Sequence, residues 1–419
     1  MRRLPVWAIV CVLLLVPLVT VIAFDVTGIS ARWGGESSDY VGYSLPLGQS
    51  LAQGKGFMLD GEFSSMAPGF PFIIAATIGL SDSFGLPFDQ LFSCILALML
   101  GFSAVVLFQL AIGLFGKISA LLAALLWLAY PLTASLLLQP LSETPFVLAL
   151  VLAVLSYVRA VEDASVRWAY LFAASLLLSV SMLLRPIAVA LPFVFVLHLL
   201  VLRKWAFPAR IKAASVLLLF VVLCLLPNLA WTSSYGQPRL LPGGNAVASI
   251  RDGLTFGVEK LSYREAVHVP EGVRSLMLRY AAEQATMQSV PEITSTVLRL
   301  AVEYPMETLQ LAGMKIVRSL YGTDSGRNET LMILIQLVFL LPLVWGVYRH
   351  FRSSGIQCIS ESLFIIPLIF VYFWGMTFLV LSIVRYMVPA ITLLFVFLPA
   401  IYSKDEQPLE AVAPYIPGQ

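Results

Sequence analysis

The sequence predicts an all-α, polytopic membrane protein with about ten transmembrane helices. Three observations carry this. First, 59% of the 419 residues are hydrophobic and only 12% are charged. Soluble domains carry roughly 25% charged residues, so this chain lacks the polar surface water requires. Second, apolar runs of about 18 residues or more recur from one end to the other, whereas a membrane β-barrel needs short alternating segments. Third, Lys and Arg fall in alternate connections between these runs, as expected for helices that cross a bilayer with basic turns inside.

Basic Met1–Pro5 precedes a first apolar run, Val6–Phe24. A cleaved signal peptide is the rival reading; the length of the run and the spans that follow favour an uncleaved helix. Further spans are expected at 91–115, 118–138, 141–158, 168–184, 187–202, 213–232, 330–348, 362–383 and 386–402. The apolar segment Phe70–Leu80 is too short to cross and is expected to lie in the interface or re-enter.

With the N-terminus in the cytoplasm, every inner connection is basic: Lys117; Arg159 and Arg167; Arg203, Lys204, Arg210 and Lys212; Arg349 and Arg352; Lys404. The tail is then cytoplasmic too. The loop Gly34–Pro71 lies outside and holds Glu36, Asp39, Asp60 and Glu62. The chain divides into a membrane module over 1–232 with its first outer loop at 25–90, an outer and mostly helical segment over 233–328, and terminal membrane helices with the tail over 329–419. In the outer segment, helices are expected around Val273–Gln288 and Pro291–Leu320. The second has an apolar stripe through Val297, Leu300, Ala301, Tyr304, Leu309, Leu311, Ile316 and Leu320. Asn328-Glu329-Thr330 matches a glycosylation sequon but abuts a helix start, which makes it a poor acceptor.

The net charge of +2 and the lack of a basic tract give no reason to expect nucleic acid as a partner. Cys11, Cys94, Cys224 and Cys358 have neither metal-ligand nor disulfide-framework spacing. His198, His268 and His350 are widely separated in sequence, which argues against a histidine metal site. A divalent cation shared by Asp39 and Glu36 is conceivable, but two loop carboxylates are a weak signal.

Four residues at the outer level could carry chemistry. Asp39 can serve as a general base on a hydroxyl; alternatively it caps a helix over Tyr40–Gln53. Arg185, in Leu184-Arg185-Pro186, is costly beside a bilayer unless it meets phosphate or an acid, or snorkels to headgroups. Arg385 also defies the positive-inside bias, and two guanidinium forks suit a lipid phosphate. Glu143, in Ser142-Glu143-Thr144-Pro145, is explained equally well by a helix N-terminus.

The order of these motifs resembles membrane glycosyltransferases of the GT-C fold, in particular the family 39 type that contains protein O-mannosyltransferases, and the lipid A aminoarabinose transferases. Their first outer loop has an acid followed by Tyr, a short helix, a Gly-rich turn and a Pro-Gly-Tyr-Pro-like lead-in. Here these are Asp39 and Tyr43, then Gln53-Gly54-Lys55-Gly56, then Pro68-Gly69-Phe70-Pro71. Ser142-Glu143, Arg185-Pro186, Tyr304-Pro305 with Lys315, and Arg385-Tyr386 with Pro389 resemble later family motifs in the same order. Asp39-Tyr40 stands where the families often carry Asp-Glu, and Met66-Ala67 where some carry a Lys before the proline.

The resemblance implies a transferase in the plasma or bacterial inner membrane. It would move a sugar from a polyprenyl-phosphate donor to the hydroxyl of a glycan, lipid or protein acceptor at the extracytoplasmic face, inverting the anomeric centre. It implies Asp39 as base, and Tyr43, Glu143, Arg185, Arg385 and Tyr386 as substrate-binding residues. A transporter or flippase of a lipid-linked or anionic substrate is the alternative; it predicts midplane charges and internal repeats, which the sequence lacks. A non-enzymatic assembly protein would leave the shared level of Asp39, Arg185 and Arg385 without a reason.

Overall fold

The computed structural model describes residues 5–27, 37, 39–241, 246–256, 269–323, 326, 328–352, 357–358 and 361–402. Helix α1 (Val6–Thr27) opens the chain. A π-helical turn, Tyr40–Ser44, runs into α2 (Leu45–Ala52). Strands β1 (Met58–Leu59) and β2 (Glu62–Phe63) form an antiparallel hairpin with Met58 opposite Phe63. Asp60 and Gly61 turn it, both at positive φ (52° and 85°), as a tight two-residue hairpin loop demands. Asp60 is therefore a turn residue.

The apolar helices follow. They are α3 (Gly69–Phe84), α4 (Phe88–Leu128), α5 (Pro131–Leu138), α6 (Glu143–Val161), α7 (Trp168–Leu184), α8 (Leu191–Val201) and α9 (Phe207–Ser233). A polar helical group comes next: α10 (Ala246–Thr255), α11 (Glu271–Ala282), α12 (Val290–Glu303) and α13 (Pro305–Arg318). Helices α14 (Glu329–Phe351), α15 (Ile365–Leu379) and α16 (Val388–Leu394) complete the described chain, the last flanked by 3₁₀ turns Val384–Met387 and Phe395–Ile401.

Among the described residues, seven helical stretches are long and apolar enough to cross a membrane, and three shorter apolar helices accompany them. The protein is thus an all-α polytopic membrane protein by its helices. The boundaries differ from expectation where backbone chemistry intervenes. The expected pair 91–115 and 118–138 is one stretch broken at Gly116 (φ 75°, ψ 169°), then interrupted before Pro131. The apolar Phe70–Leu80 is a 16-residue helix, α3. The expected Pro291–Leu320 helix is two, because Pro305 cannot continue the hydrogen-bond ladder.

Helices α6 and 384–401 are the most enclosed elements of the bundle. Helix α6 packs between α4 and α7, with α16 against it; α1 packs on α4, and α9 on α7 and α8. Lipid offers no hydrophobic drive for helix association, so close packing needs small residues. Ala97, Ala104 and Ala111 of α4 and Ala149, Ala153 and Ala160 of α6 are buried. The polar helical group has its own small core of Leu254, Val273, Leu276, Met277, Ile293, Leu300 and Leu311, to which Leu381 adds from the segment after α15.

The expected stripe on α12 and α13 is only partly right. Leu300 and Leu311 are buried, but Leu309 and Ile316 are exposed, and the buried face of α13 continues through Lys315 and Arg318. Arg318 finds a partner in the α15–α16 connection, described next, whereas Lys315 lies 5.7 Å from the Phe378 ring of α15.

Candidate active site

Asp39 stands at the head of the π-helical turn. It has ordinary helical dihedrals (φ −68°, ψ −34°) and makes no capping bond. The Ser37 hydroxyl takes the Tyr40 N–H instead, at 3.1 Å. The capping role therefore belongs to Ser37, and the Asp39 carboxylate is left for other work. The turn is anchored by Tyr40, which is buried and stacks on Phe92 of α4 with ring centroids 6.1 Å apart. Asp39 itself remains 60% exposed.

Glu143 opens α6 and is completely buried. Its Oε1 is bonded by Arg385 Nε and ion-paired with Arg185 Nη1. Its Oε2 accepts from Arg385 Nη2 at 3.4 Å. A helix N-terminus alone would not require burial; the two guanidiniums do, because a buried carboxylate is tolerated only when paired.

Arg185 lies between α7 and the following 3₁₀ turn, in extended backbone (φ −147°, ψ 122°). Pro186 disfavours the helical region for the residue before it, which aims this side chain inward from the helix end. Its guanidinium sits 5.2 Å from the centroid of the Tyr386 ring. It is ion-paired to protein, so the snorkelling alternative is displaced. Arg385 comes from the 3₁₀ turn before α16 and reaches a second carboxylate: its Nη2 is 3.4 Å from Asp39 Oδ2.

Four of the six expected residues thus form a chain of charge, Asp39–Arg385–Glu143–Arg185, with Tyr386 against its end. Tyr43 is not joined to it: it is 41% exposed and, among the described residues, has no hydrogen bond or ring contact. Glu36 and His268 lie outside the described residues. Glu62 is exposed on the hairpin. Among the described residues there is no group of three or more His, Cys, Asp or Glu side chains placed to hold a metal ion.

Sequence reasoning missed what holds Arg385 in place. Arg318, 1% exposed at the end of α13, donates from Nη1 to the Ser382 carbonyl at 2.9 Å. From Nη2 it donates to Glu329 Oε1 at 2.7 Å and to the Thr323 carbonyl at 3.0 Å. The Val384 N–H donates to the Gly322 carbonyl at 2.8 Å. Gly322 has to be glycine, since a Cβ there would lie 2.6 Å from the Ser382 carbonyl oxygen. The polar helical group is in this way fastened to the residues on the N-terminal side of Arg385. The one available signal was Glu329 at a helix start, which the sequon reading passed over.

His198 and His350, distant in sequence, both reach Glu361. His198 Nε2 is 3.1 Å from the Glu361 carbonyl, and its Nδ1 bonds Tyr157 at 2.6 Å; His350 is 3.8 Å from the Glu361 carboxylate. Tyr157 lies about 21 Å along α6 from Glu143, so this network belongs to the opposite end of the bundle.

Chemically, the site offers an exposed carboxylate beside two guanidiniums that share one buried carboxylate. Each guanidinium has five N–H donors, while Glu143 has two oxygens. The arrangement suits a substrate with a hydroxyl to deprotonate and an anion to stabilise.

The comparisons agree with this over part of the chain. Residues 65–231 match the family described as dolichyl-phosphate-mannose-protein mannosyltransferase. The match covers less than half of the chain; it includes Pro68, Glu143 and Arg185 but not Asp39 or Arg385. A comparison with curated proteins finds no match. Over the segment that supplies the buried acid and one of its two arginines, the chain is similar to dolichyl-phosphate-mannose-protein mannosyltransferases.

Proposed function

We propose that the protein is a membrane glycosyltransferase of the GT-C type that takes a sugar from a polyprenyl-phosphate donor. The observation that carries this is the Asp39–Arg385–Glu143–Arg185 chain, which sets a candidate base and a candidate phosphate clamp within one contact of each other. The match over residues 65–231 supports the lipid-linked donor.

In this reading Asp39 accepts the proton of an acceptor hydroxyl as that oxygen attacks the anomeric carbon. The bond from the anomeric carbon to the phosphate oxygen breaks, and its electron pair leaves with the lipid phosphate. Arg385 and Arg185 stabilise the charge that develops there, and Glu143 holds both guanidiniums in register. A phosphate leaving group needs less acid assistance than an alkoxide, so one base with a cationic clamp suffices. Direct displacement inverts the anomeric configuration. The distribution of Lys and Arg supports the extracytoplasmic face as the side of this chemistry.

The test is transfer by Asp39→Asn in membranes supplied with lipid-linked sugar. The expected loss is about 10²–10⁴-fold. Near-normal turnover in a folded variant would reject Asp39 as base. Substrate uptake into vesicles without product release would favour a transporter instead.

A further inference from the structure

Helix α13 is amphipathic in the reverse sense. In a water-facing helix the charged side chains point out and the apolar ones point in. The three charged residues of α13 are Glu307, Lys315 and Arg318. Lys315 and Arg318 are buried. Glu307 is half-buried against Gly272 of α11, where an added Cβ would lie 3.2 Å from its Cγ. The side chains exposed along α13 include Met306, Leu309, Gln310, Ile316 and Val317, one stripe at helical spacing in which Leu309 is 67% exposed. Helix α12 of the same polar group is ordinary: Glu292, Arg299 and Glu303 are among its exposed residues. An exposed apolar face with its charges turned inward marks an interaction surface.

The end of α13 is finished as a helix in lipid must be. The last four carbonyls of a helix lack intrahelical partners, and lipid supplies none. Here the Lys315 carbonyl accepts from the Ser319 N–H and hydroxyl, the Val317 carbonyl from the Leu320 N–H, and the Arg318 carbonyl from the Gly322 N–H. The Ile316 carbonyl accepts from the Trp374 indole of α15 at 2.9 Å.

That last bond sets a level. Trp374 lies five residues before Leu379, the end of α15, which is about 7.5 Å along the helix axis. Interfacial helices bury their apolar face about 5–10 Å into the boundary of headgroups and acyl chains, and Trp is enriched there. Val371, Gly375 and Leu379 lie on one line of α15 beside Trp374 and are exposed, as the lipid side of a spanning helix is. Ile316, bonded to Trp374 through its carbonyl and itself exposed, continues that surface onto α13.

We infer that α13 is an interfacial membrane helix, with its Met306–Val317 face inserted in the lipid of the leaflet on the side of the charged site. The polar helical group is then seated in the bilayer and not held above it. The inserted helix is the one whose end, through Arg318 and Gly322, holds the segment leading to Arg385. This placement does not depend on the transferase reading.

The test is spin labelling of the full chain in phosphatidylcholine nanodiscs, with Cys11, Cys94, Cys224 and Cys358 replaced by alanine. Labels are attached to Met306→Cys, Leu309→Cys and Val317→Cys on the outward face of α13. Val371→Cys on α15 is the lipid reference, and Thr294→Cys on α12 is the water reference. Collisions with oxygen, which concentrates in lipid, are compared with collisions with a water-soluble nickel chelate. At the outward positions the oxygen-to-chelate ratio should lie close to that at Val371 and several-fold above that at Thr294. Ratios like that at Thr294 would place the helix in water and overturn the inference. In discs that hold this protein alone, low collision with both reagents would mean that a second copy covers the face, which also overturns it. Three outward positions are used so that a label that disturbs folding at one leaves the other two to decide.

Discussion

Arg385 and Glu143 are 242 residues apart in sequence, yet the Arg385 guanidinium wraps both oxygens of that buried carboxylate. The same guanidinium carries Asp39 on its other side. Arg385 is therefore the hinge of the site: it ties the exposed candidate base to the buried anchor.

Glu143→Gln should be among the most damaging single changes at this end of the bundle. It leaves the Arg185 and Arg385 guanidiniums without their shared counter-charge, and breaking a buried pair from one side costs about 3–5 kcal/mol. Thermal unfolding in detergent should show a clear drop for Glu143→Gln. A melting curve that overlays the wild type would mean the cluster adds no stability.

The two arginines should not be equivalent. Arg385 touches both carboxylates, whereas Arg185 meets Glu143 and the Tyr386 ring. Lysine keeps the charge but loses the fork. Arg385→Lys should lower kcat by about 10²-fold, in the range for loss of a transition-state donor, and Arg185→Lys by less. Initial-rate measurements on both variants decide it; a larger loss for Arg185→Lys would reverse the assignment.

Arg318 should act through Arg385 without touching substrate. Arg318→Met removes its bonds to the Ser382 carbonyl and to Glu329, and small misplacements of a catalytic group cost up to about 10²-fold. Two readouts should move together: faster amide exchange at Val384, whose N–H bonds Gly322, and a lower kcat with acceptor KM little changed. Unchanged exchange with lost activity would point to a different role.

Lys315 predicts a pH dependence. Burial pushes its ammonium pKa down to about 7, from an ordinary value of 10.5. Phe378 lies 5.7 Å away, and no carboxylate among the described residues pairs with it. Between those two pH values the unfolded chain holds a proton that the folded chain has released, so stability should rise with pH across that window. The gain from pH 7 to pH 9 should be roughly 2 kcal/mol. Lys315→Met should flatten the dependence in pH-resolved unfolding; an equally steep curve in that variant would place its origin elsewhere.

Much of this protein was legible locally. Hydropathy over a window of one bilayer thickness reports the helices directly, because each membrane helix satisfies its own backbone. Counting Lys and Arg put Asp39, Glu143, Arg185 and Arg385 at one level, and the structure brings those four together. The gaps at Gly116, Pro131 and Pro305 are local too, but hydropathy averages over them, so helix boundaries shifted there.

The partners of each charged group were not legible. From sequence, Asp39 could equally have been a helix cap and Glu143 a helix N-terminus, because both readings use only neighbours along the chain. Lys315 and Arg318 fall outside the apolar stripe expected on this helix, and the burial of Arg318 was not legible because the Ser382 carbonyl and Glu329 that surround it lie elsewhere in the chain. The amino-acid sequence alone determined an all-α membrane protein and singled out its unusual charges. Tertiary structure alone decided that Glu143 is shared by two arginines, that Arg385 reaches Asp39, and that Arg318 holds the segment leading to it. The reason is physical: helix formation and hydropathy are set within a few turns of chain, whereas a buried charge is tolerated only where distant segments deliver its counter-charge.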